Sequence, residues 1–218
     1  AGIRLVHHDL VWLRDLVQRA ALPARLPVGP VRRTPPLSRP AVHFDAAWGS
    51  EIGRVEGYRL AAEVLARHMM QHRGDRDILI YAFANNCRHH FELRLQLLLD
   101  VLQRYKAEAA TPLRTHNLGK LWEETRRRLE TVDGIETGAA LQDTDRVISQ
   151  LYSVDPDGQN FRYFRPTNGS PALDGEGPID LLGFHEGLSA AATFLSAALE
   201  VVYINDERKR ELEAESGR

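Results

Sequence analysis

The sequence has almost no cysteine: Cys87 is the only one in 218 residues. An internal disulfide and a multi-cysteine zinc site are therefore excluded, and cysteine usage gives no sign of an oxidising compartment. Lysine is nearly as rare. Lys106, Lys120 and Lys209 stand against 25 arginines, a bias that suits bidentate contacts to carboxylate or phosphate but that a GC-rich genome would also produce. There is no excess of positive charge, because the formal net charge is −2. Any anion site must then be local rather than spread over the molecule. Long hydrophobic runs are missing too. No stretch of 18 apolar residues occurs, and Arg4, His7, His8, Asp9, Arg14 and Asp15 interrupt the N-terminal segment. Neither a membrane span nor a signal peptide is expected, and the reading places the chain in the cytoplasm with no membrane partner.

Several chemistries lack their motifs. Gly119-Lys120 has Arg114 where a phosphate-cradling loop needs glycine, and His185-Glu186 has Ser189 where a zinc protease needs its second histidine. No glutamate is followed three residues later by histidine, as di-iron bundles require, and no G-x-S-x-G elbow exists. His68 and His72 share a helix face at i and i+4, but no carboxylate completes a ligand set. His89-His90 and His7-His8 point about 100° apart on their helices and cannot easily hold one ion. No metal and no cofactor are expected.

What the sequence does have is helical periodicity. Residues 3–20 read as an amphipathic helix, and the segment after it holds six of the eleven prolines, an extended connector with Arg32 and Arg33. Helix resumes at Ser50, an N-cap with Glu51 in the first turn, and places Ile52, Val55, Ala62, Leu65 and Met69 on one face. Gly74 breaks it, and Asp77 is placed to cap the next helix, about residues 77–105, which is apolar almost all round in its second half and therefore central. Two further helices follow near 117–132 and 139–153, and a last one begins near Pro178. Between them, residues 155–177 carry no helical period, and Asn168-Gly169 marks a small hairpin within 160–173. The expected fold is all-α: a single-domain bundle of about five or six helices. Its parts are an N-terminal helix and proline-rich arm (1–48), the bundle (49–206) and a charged tail (207–218) that frays.

The most informative feature is a polar stripe on the most apolar helix. Tyr81, Asn85, Arg88, Glu92 and Gln96 recur at spacings of four, three, four and four, which puts them on one face beside a core face of Cys87, Phe91, Leu95, Leu98 and Leu102. Three readings stand. The stripe is a solvated side with an i,i+4 pair worth about 0.2–0.5 kcal/mol, or a buried network that fixes a neighbouring segment, or the wall of a groove where Asn85, Arg88 and His89 meet phosphate or a base. Leu93, Leu97 and Leu99 leave little room for a fully wet face, which favours the network. A second cluster is Phe161-Arg162-Tyr163-Phe164-Arg165. Aromatics interleaved with arginines can stack on single-stranded RNA, while a strand would turn the aromatics inward and the arginines outward, which is plain packing. Packing is the commoner case.

These segments together resemble the HEPN superfamily (higher eukaryotes and prokaryotes nucleotide-binding domains), and in particular its bacterial branch. The residues that carry the resemblance are Arg88-His89-His90-Phe91-Glu92-Leu93, then His116-Asn117-Leu118-Gly119-Lys120-Leu121-Trp122, then Asp155 to Tyr163 before a last helix. It covers about residues 50–205. The resemblance implies a helical bundle, frequent homodimers, and roles in RNA cleavage, nucleotide binding or defence. Catalytic members use an arginine followed four to six residues later by histidine, and Arg67 and His72 fit that spacing. The resemblance thus implies an RNA- or nucleotide-binding protein, for which the stripe and the 161–165 cluster supply the candidate binding residues Asn85, Arg88, His89, Glu92 and Arg162. Its catalytic version is a metal-independent ribonuclease using Arg67 and His72. The alternative is a non-catalytic module that holds a protein partner.

Overall fold

The computed structural model describes residues 51–106, 113–135, 138–164, 172–173 and 177–216. The N-terminal helix and the proline-rich arm lie outside these residues. Within them the fold is an all-α bundle with five α-helices: α1 (Glu51–Gln71), α2 (Arg76–Lys106), α3 (Leu118–Leu129), α4 (Ala139–Val154) and α5 (Leu181–Ser216).

A single 3-10 turn, Arg73–Asp75, joins α1 to α2 and folds them into an antiparallel pair. At the turn, Arg76 donates through Nε to the Met69 carbonyl (2.7 Å), and Asp75 takes a 2.6 Å contact from His68. Far from it, Val55 lies opposite His90. Helix α2 begins one residue before Asp77, so that carboxylate sits in the first turn, where it faces the positive end of the helix dipole, instead of capping. The α1 face is also narrower than its periodicity implies. Val55, Ala62, Ala66 and Met69 are buried, whereas Ile52 is exposed.

Helix α2 is the axis of the bundle, with α1, α3 and α5 all packed on it. Phe83, Cys87, Phe91, Leu95, Leu98 and Leu102 are buried along it, as the apolar run predicts. Helix α3 runs alongside in the same direction, with Gln96 reaching Thr115 at its start and Lys106 reaching Thr131 at its end. Asn117 caps it, its side chain accepting from the Lys120 amide at 2.9 Å. Helix α4 returns antiparallel to α3, tied by Trp122 Nε1 to Asp145 (2.7 Å).

Helix α5 is parallel to α2: Phe184 meets Phe83 edge-on near its start, and Lys209 reaches the Tyr105 carbonyl near its end. Asp180 caps it by accepting from the Gly183 amide at 3.2 Å, so the helix opens three residues after Pro178. One 18-residue window has a mean hydropathy of 1.6, long and apolar enough to cross a bilayer by length and composition. In the bundle, that stretch sends Leu188, Ala191, Leu195, Leu199 and Val202 into the core. The charged tail does not fray where expected. It stays helical to Ser216, because Glu, Arg, Lys and Leu are good helix formers and Arg210 pairs with Asp206 at 2.6 Å, in addition to the Lys209 anchor.

No strand occurs among the described residues. Of the expected hairpin, residues 160–162 form a turn, and Ala172 N donates to Phe164 O at 3.1 Å; the Asn168-Gly169 tip lies outside the described residues.

Candidate functional site: a histidine rim around a buried ion pair

The stripe on α2 does not have one environment along its length. Tyr81 is half exposed, Asn85 and Gln96 are partly buried, and Arg88 and Glu92 are enclosed, at 0% and 2% exposure. Arg88 is the centre. Its Nη1 donates to Glu92 Oε2 at 2.5 Å, its Nε to the Asp155 carbonyl at 3.0 Å, and its Nη2 to the carbonyls of His116 (2.6 Å) and Pro156 (3.2 Å). The Asp155 carboxylate is also buried, with Oδ2 at 3.5 Å from Arg88 Nε and Oδ1 accepting from the Asn160 amide.

The loop Asp155-Pro156-Asp157-Gly158 wraps this guanidinium at close range. Gly158 has φ +79°, and a Cβ there would lie 3.3 Å from Arg88 Cζ. Glycine meets both demands, since the left-handed region costs it little and it has no side chain to clash. The loop then hands on to α3 through Leu118 N and the Pro156 carbonyl (3.1 Å). A groove role in which Arg88 and Glu92 touch a ligand is therefore corrected to a positioning one: both side chains lie beneath the surface, with their polar atoms committed to protein partners.

What they position is histidine. Glu92 Oε1 lies 2.8 Å from His116 Nδ1, and the His116 side chain is 80% exposed. A carboxylate only accepts, so Nδ1 carries a proton, and in the neutral tautomer it is Nε2 that faces solvent bare. Burial pushes the Glu92 carboxyl up, but the bonds it accepts from the His116 ring and the Arg88 guanidinium outweigh that and hold it down at about 2. Glu92 is thus a fixed anion under the ring.

Beyond Glu92 the cluster continues with residues from α1, α2 and the 159–162 turn. His89 Nδ1 is 3.9 Å from Glu92 Oε2, too long for a hydrogen bond, and 3.3 Å from Arg162 Nη2. Arginine can only donate, so this nitrogen accepts in the neutral ring. Arg162 Nε also donates to Asn85 Oδ1 at 3.0 Å, and Tyr58 of α1 meets the His89 ring edge-on, centroids 4.4 Å apart. All five residues named as binding residues, Asn85, Arg88, His89, Glu92 and Arg162, thus form one connected cluster.

Arg67 and His72 do not join it. Arg67 is nine residues beyond Tyr58 on α1, about 14 Å of helical rise, and pairs with Glu63 at 3.3 Å. His72 follows the end of α1, its ring 4.3 Å from that of His68. Among the described residues no three His, Cys, Asp or Glu side chains come together as a metal group.

Three things escaped the reading by residue pattern. His116 was visible only as part of a resemblance; its local signal is its place just before the cap Asn117. Asp155 and Gly158 lie in a stretch read only as lacking a helical period, and nothing in it announces the arginine they enclose. The aromatics of the 161–164 segment also differ from the packing expectation: Phe161 is partly buried, but Tyr163 is 56% and Phe164 98% exposed. The amides of Arg162 and Tyr163 both bond to the Gln159 carbonyl, so the segment is a turn with no strand alternation to bury them. No family model, curated protein or solved structure matches the chain.

Proposed function

We propose that the chain is a HEPN-like protein that binds RNA or nucleotide phosphate on the rim formed by Asn85, His89, His116 and Arg162, within a defence or stress role of the cell. The observation that carries this reading is the exposed His116 ring held by a buried carboxylate, with a second histidine and an exposed arginine beside it. Arg162 supplies a fork for a phosphate, and the exposed Tyr163 and Phe164 next to it offer faces for bases.

The same arrangement suits phosphodiester cleavage without a metal. His116, bare at Nε2, can take the proton of a ribose 2′-hydroxyl. Once protonated, His116 can pass that proton on to the leaving oxygen, while Arg162 stabilises the charge on phosphorus. Arg67 and His72 remain the second candidate pair, one that needs the two copies of a homodimer to assemble a site.

The test is fluorescence anisotropy with a labelled single-stranded RNA, run beside a cleavage assay in EDTA. Wild type binds at low salt, and Arg162→Ala weakens binding about tenfold through the lost charge-assisted contact. His116→Ala removes cleavage with little change in the urea midpoint, because its ring is exposed. Equal binding by wild type and Arg162→Ala would overturn the assignment. Cleavage lost in Arg67→Ala and His72→Ala but retained in His116→Ala would move the chemistry to the other pair.

One observation favours the rival reading, a non-catalytic module for a protein partner. A cleft of about 710 Å³ opens where α5 begins, lined by Met69, Met70, Ile80, Tyr81, Phe161 and Leu182 among others. Side chains of this kind suit an apolar segment of another chain. RNA binding that is absent at every salt concentration would favour this module.

A further inference from the structure

A second cavity, of about 330 Å³, lies between α1, α2 and α5 and shares no lining residue with the histidine rim. The charges around it are already matched. Glu56 pairs with Arg94 and, at 2.6 Å, with Arg59, while Glu63 pairs with Arg67 at 3.3 Å and with His185 at 2.7 Å. Thr193 and Ser196 give their hydroxyl protons to the carbonyls of Ser189 (2.9 Å) and Ala192 (2.8 Å). An ion of either sign would therefore lose its hydration here without meeting an unpaired countercharge. Much of the remaining wall is apolar, with Phe83, Phe91 and Leu188 in it.

Against this matched background stands His90, whose ring also lines the cavity and is 2% exposed. A carbonyl only accepts, so Nδ1, 2.9 Å from the Val55 oxygen, carries the proton of the ring. Burial pushes the pKa of His90 down to about 4, so near pH 7 the ring is neutral and Nε2 holds a lone pair. That nitrogen is buried and has no hydrogen-bond partner among the described residues. A buried acceptor without a donor is destabilising, and a guest that brings a donor removes the penalty. We propose that the cavity binds a neutral aromatic molecule carrying one N–H or O–H group, with the donor on His90 Nε2 and the rings against Phe83 and Phe91. Aromatic edges and faces attract one another in such a setting. An apolar cavity of about 150 Å³ is enough for benzene, so this one has room for two fused rings. A hydrocarbon of the same shape would fill the space but leave Nε2 unmatched.

Indole is the probe, and 1-benzofuran, of the same shape but with no N–H, is the control. Calorimetry on the full chain at pH 7 reads the affinities, and nitrogen NMR of the histidine rings reads the contact. Indole should bind about tenfold more tightly than 1-benzofuran, the difference expected for one buried hydrogen bond. It should also move the Nε2 resonance of His90, which 1-benzofuran should leave in place. Tryptamine and indole-3-carboxylate, charged versions of the same ring, should bind more weakly than indole. His90→Phe should erase the preference for indole over 1-benzofuran. Ser189→Trp, a bulky change at an exposed position on the wall, should block both guests without touching the buried histidine. Equal affinity of wild type for indole and 1-benzofuran would overturn the proposal, as would no binding of indole at all. So would tighter binding of either charged version, a folded His90→Phe variant that still prefers indole, or a Ser189→Trp variant that binds indole like wild type.

Discussion

Helix α2 carries two enclosed arginines six residues apart, and they are treated differently. Arg88 faces the loops. It bonds to the Glu92 carboxylate and to three backbone carbonyls from segments 28 and 67–68 residues away, and it lies 3.5 Å from a second carboxylate, that of Asp155. Arg94 faces α1, where its Nη2 bonds to Glu56, and its Nε is buried with no partner. Glu56 has other company, since Arg59 holds it at 2.6 Å and its side chain is 30% exposed. The first arginine therefore organises chain that has no helical reason to be where it is. The second neutralises a charge between two helices that a short turn already holds together. Burial of a guanidinium alone does not say what it is for; the range of its partners does.

That contrast can be broken from the Arg88 side first. Arg88→Ala leaves Glu92 and the Asp155 carboxylate without their cation and should cost about 3–5 kcal/mol, read as a urea midpoint. Replacing Arg88 and Glu92 together with Met should recover part of the loss. A double variant no more stable than Arg88→Ala would mean that the pair itself is not what the loops depend on.

Acid separates the two sides next. His90, on the α1 side, has its pKa pushed from 6.5 to about 4 by burial, so between those values the unfolded chain takes up a proton that the native state refuses. Stability should fall as the pH drops from 6.5 to 4, by roughly 2–3 kcal/mol from this group. His90→Phe should flatten that part of the profile. Glu92 acts lower: its contribution is complete above the ordinary 4.5 and is lost only as the pH falls towards 2. Urea midpoints at pH 7, 5.5 and 4 for wild type and His90→Phe would show which side yields first.

The smallest effect is expected at Arg94. Arg94→Leu removes an unpaired Nε and leaves Glu56 with Arg59, so it should cost under about 2 kcal/mol in the same assay. A loss equal to that of Arg88→Ala would erase the distinction.

The legibility of the sequence follows the same division. Helices α1 to α5 are written in local signals: apolar residues at three- and four-residue spacing, Asn117 before α3, and Gly74 between α1 and α2. The stripe on α2 was legible too, because Asn85, Arg88, Glu92 and Gln96 are polar on an otherwise apolar helix. What could not be read was the surroundings of the stripe. The carbonyls of Asp155, Pro156 and His116 belong to every sequence alike, and no side-chain pattern announces that a loop will turn them onto an arginine. His116 itself is one histidine among nine, and its meaning depends on a carboxylate 24 residues earlier. The exposed Tyr163 and Phe164 were misread as packing for a related reason: alternation predicts burial only if the segment is a strand.

The cage around Arg88 also has a consequence for the order of folding. The antiparallel pair α1 and α2 needs only a short turn to close, so it can form early at little entropic cost. The guanidinium waits longer, since two of its three carbonyl partners, those of Asp155 and Pro156, arrive only after α3 and α4 have been laid down and the 155–158 loop has closed over it. Until then the guanidinium has only Glu92, four residues along the same helix, as its partner. The amides of Leu118 and Asn160, which bond to Pro156 and Asp155, should therefore gain hydrogen-exchange protection together and last.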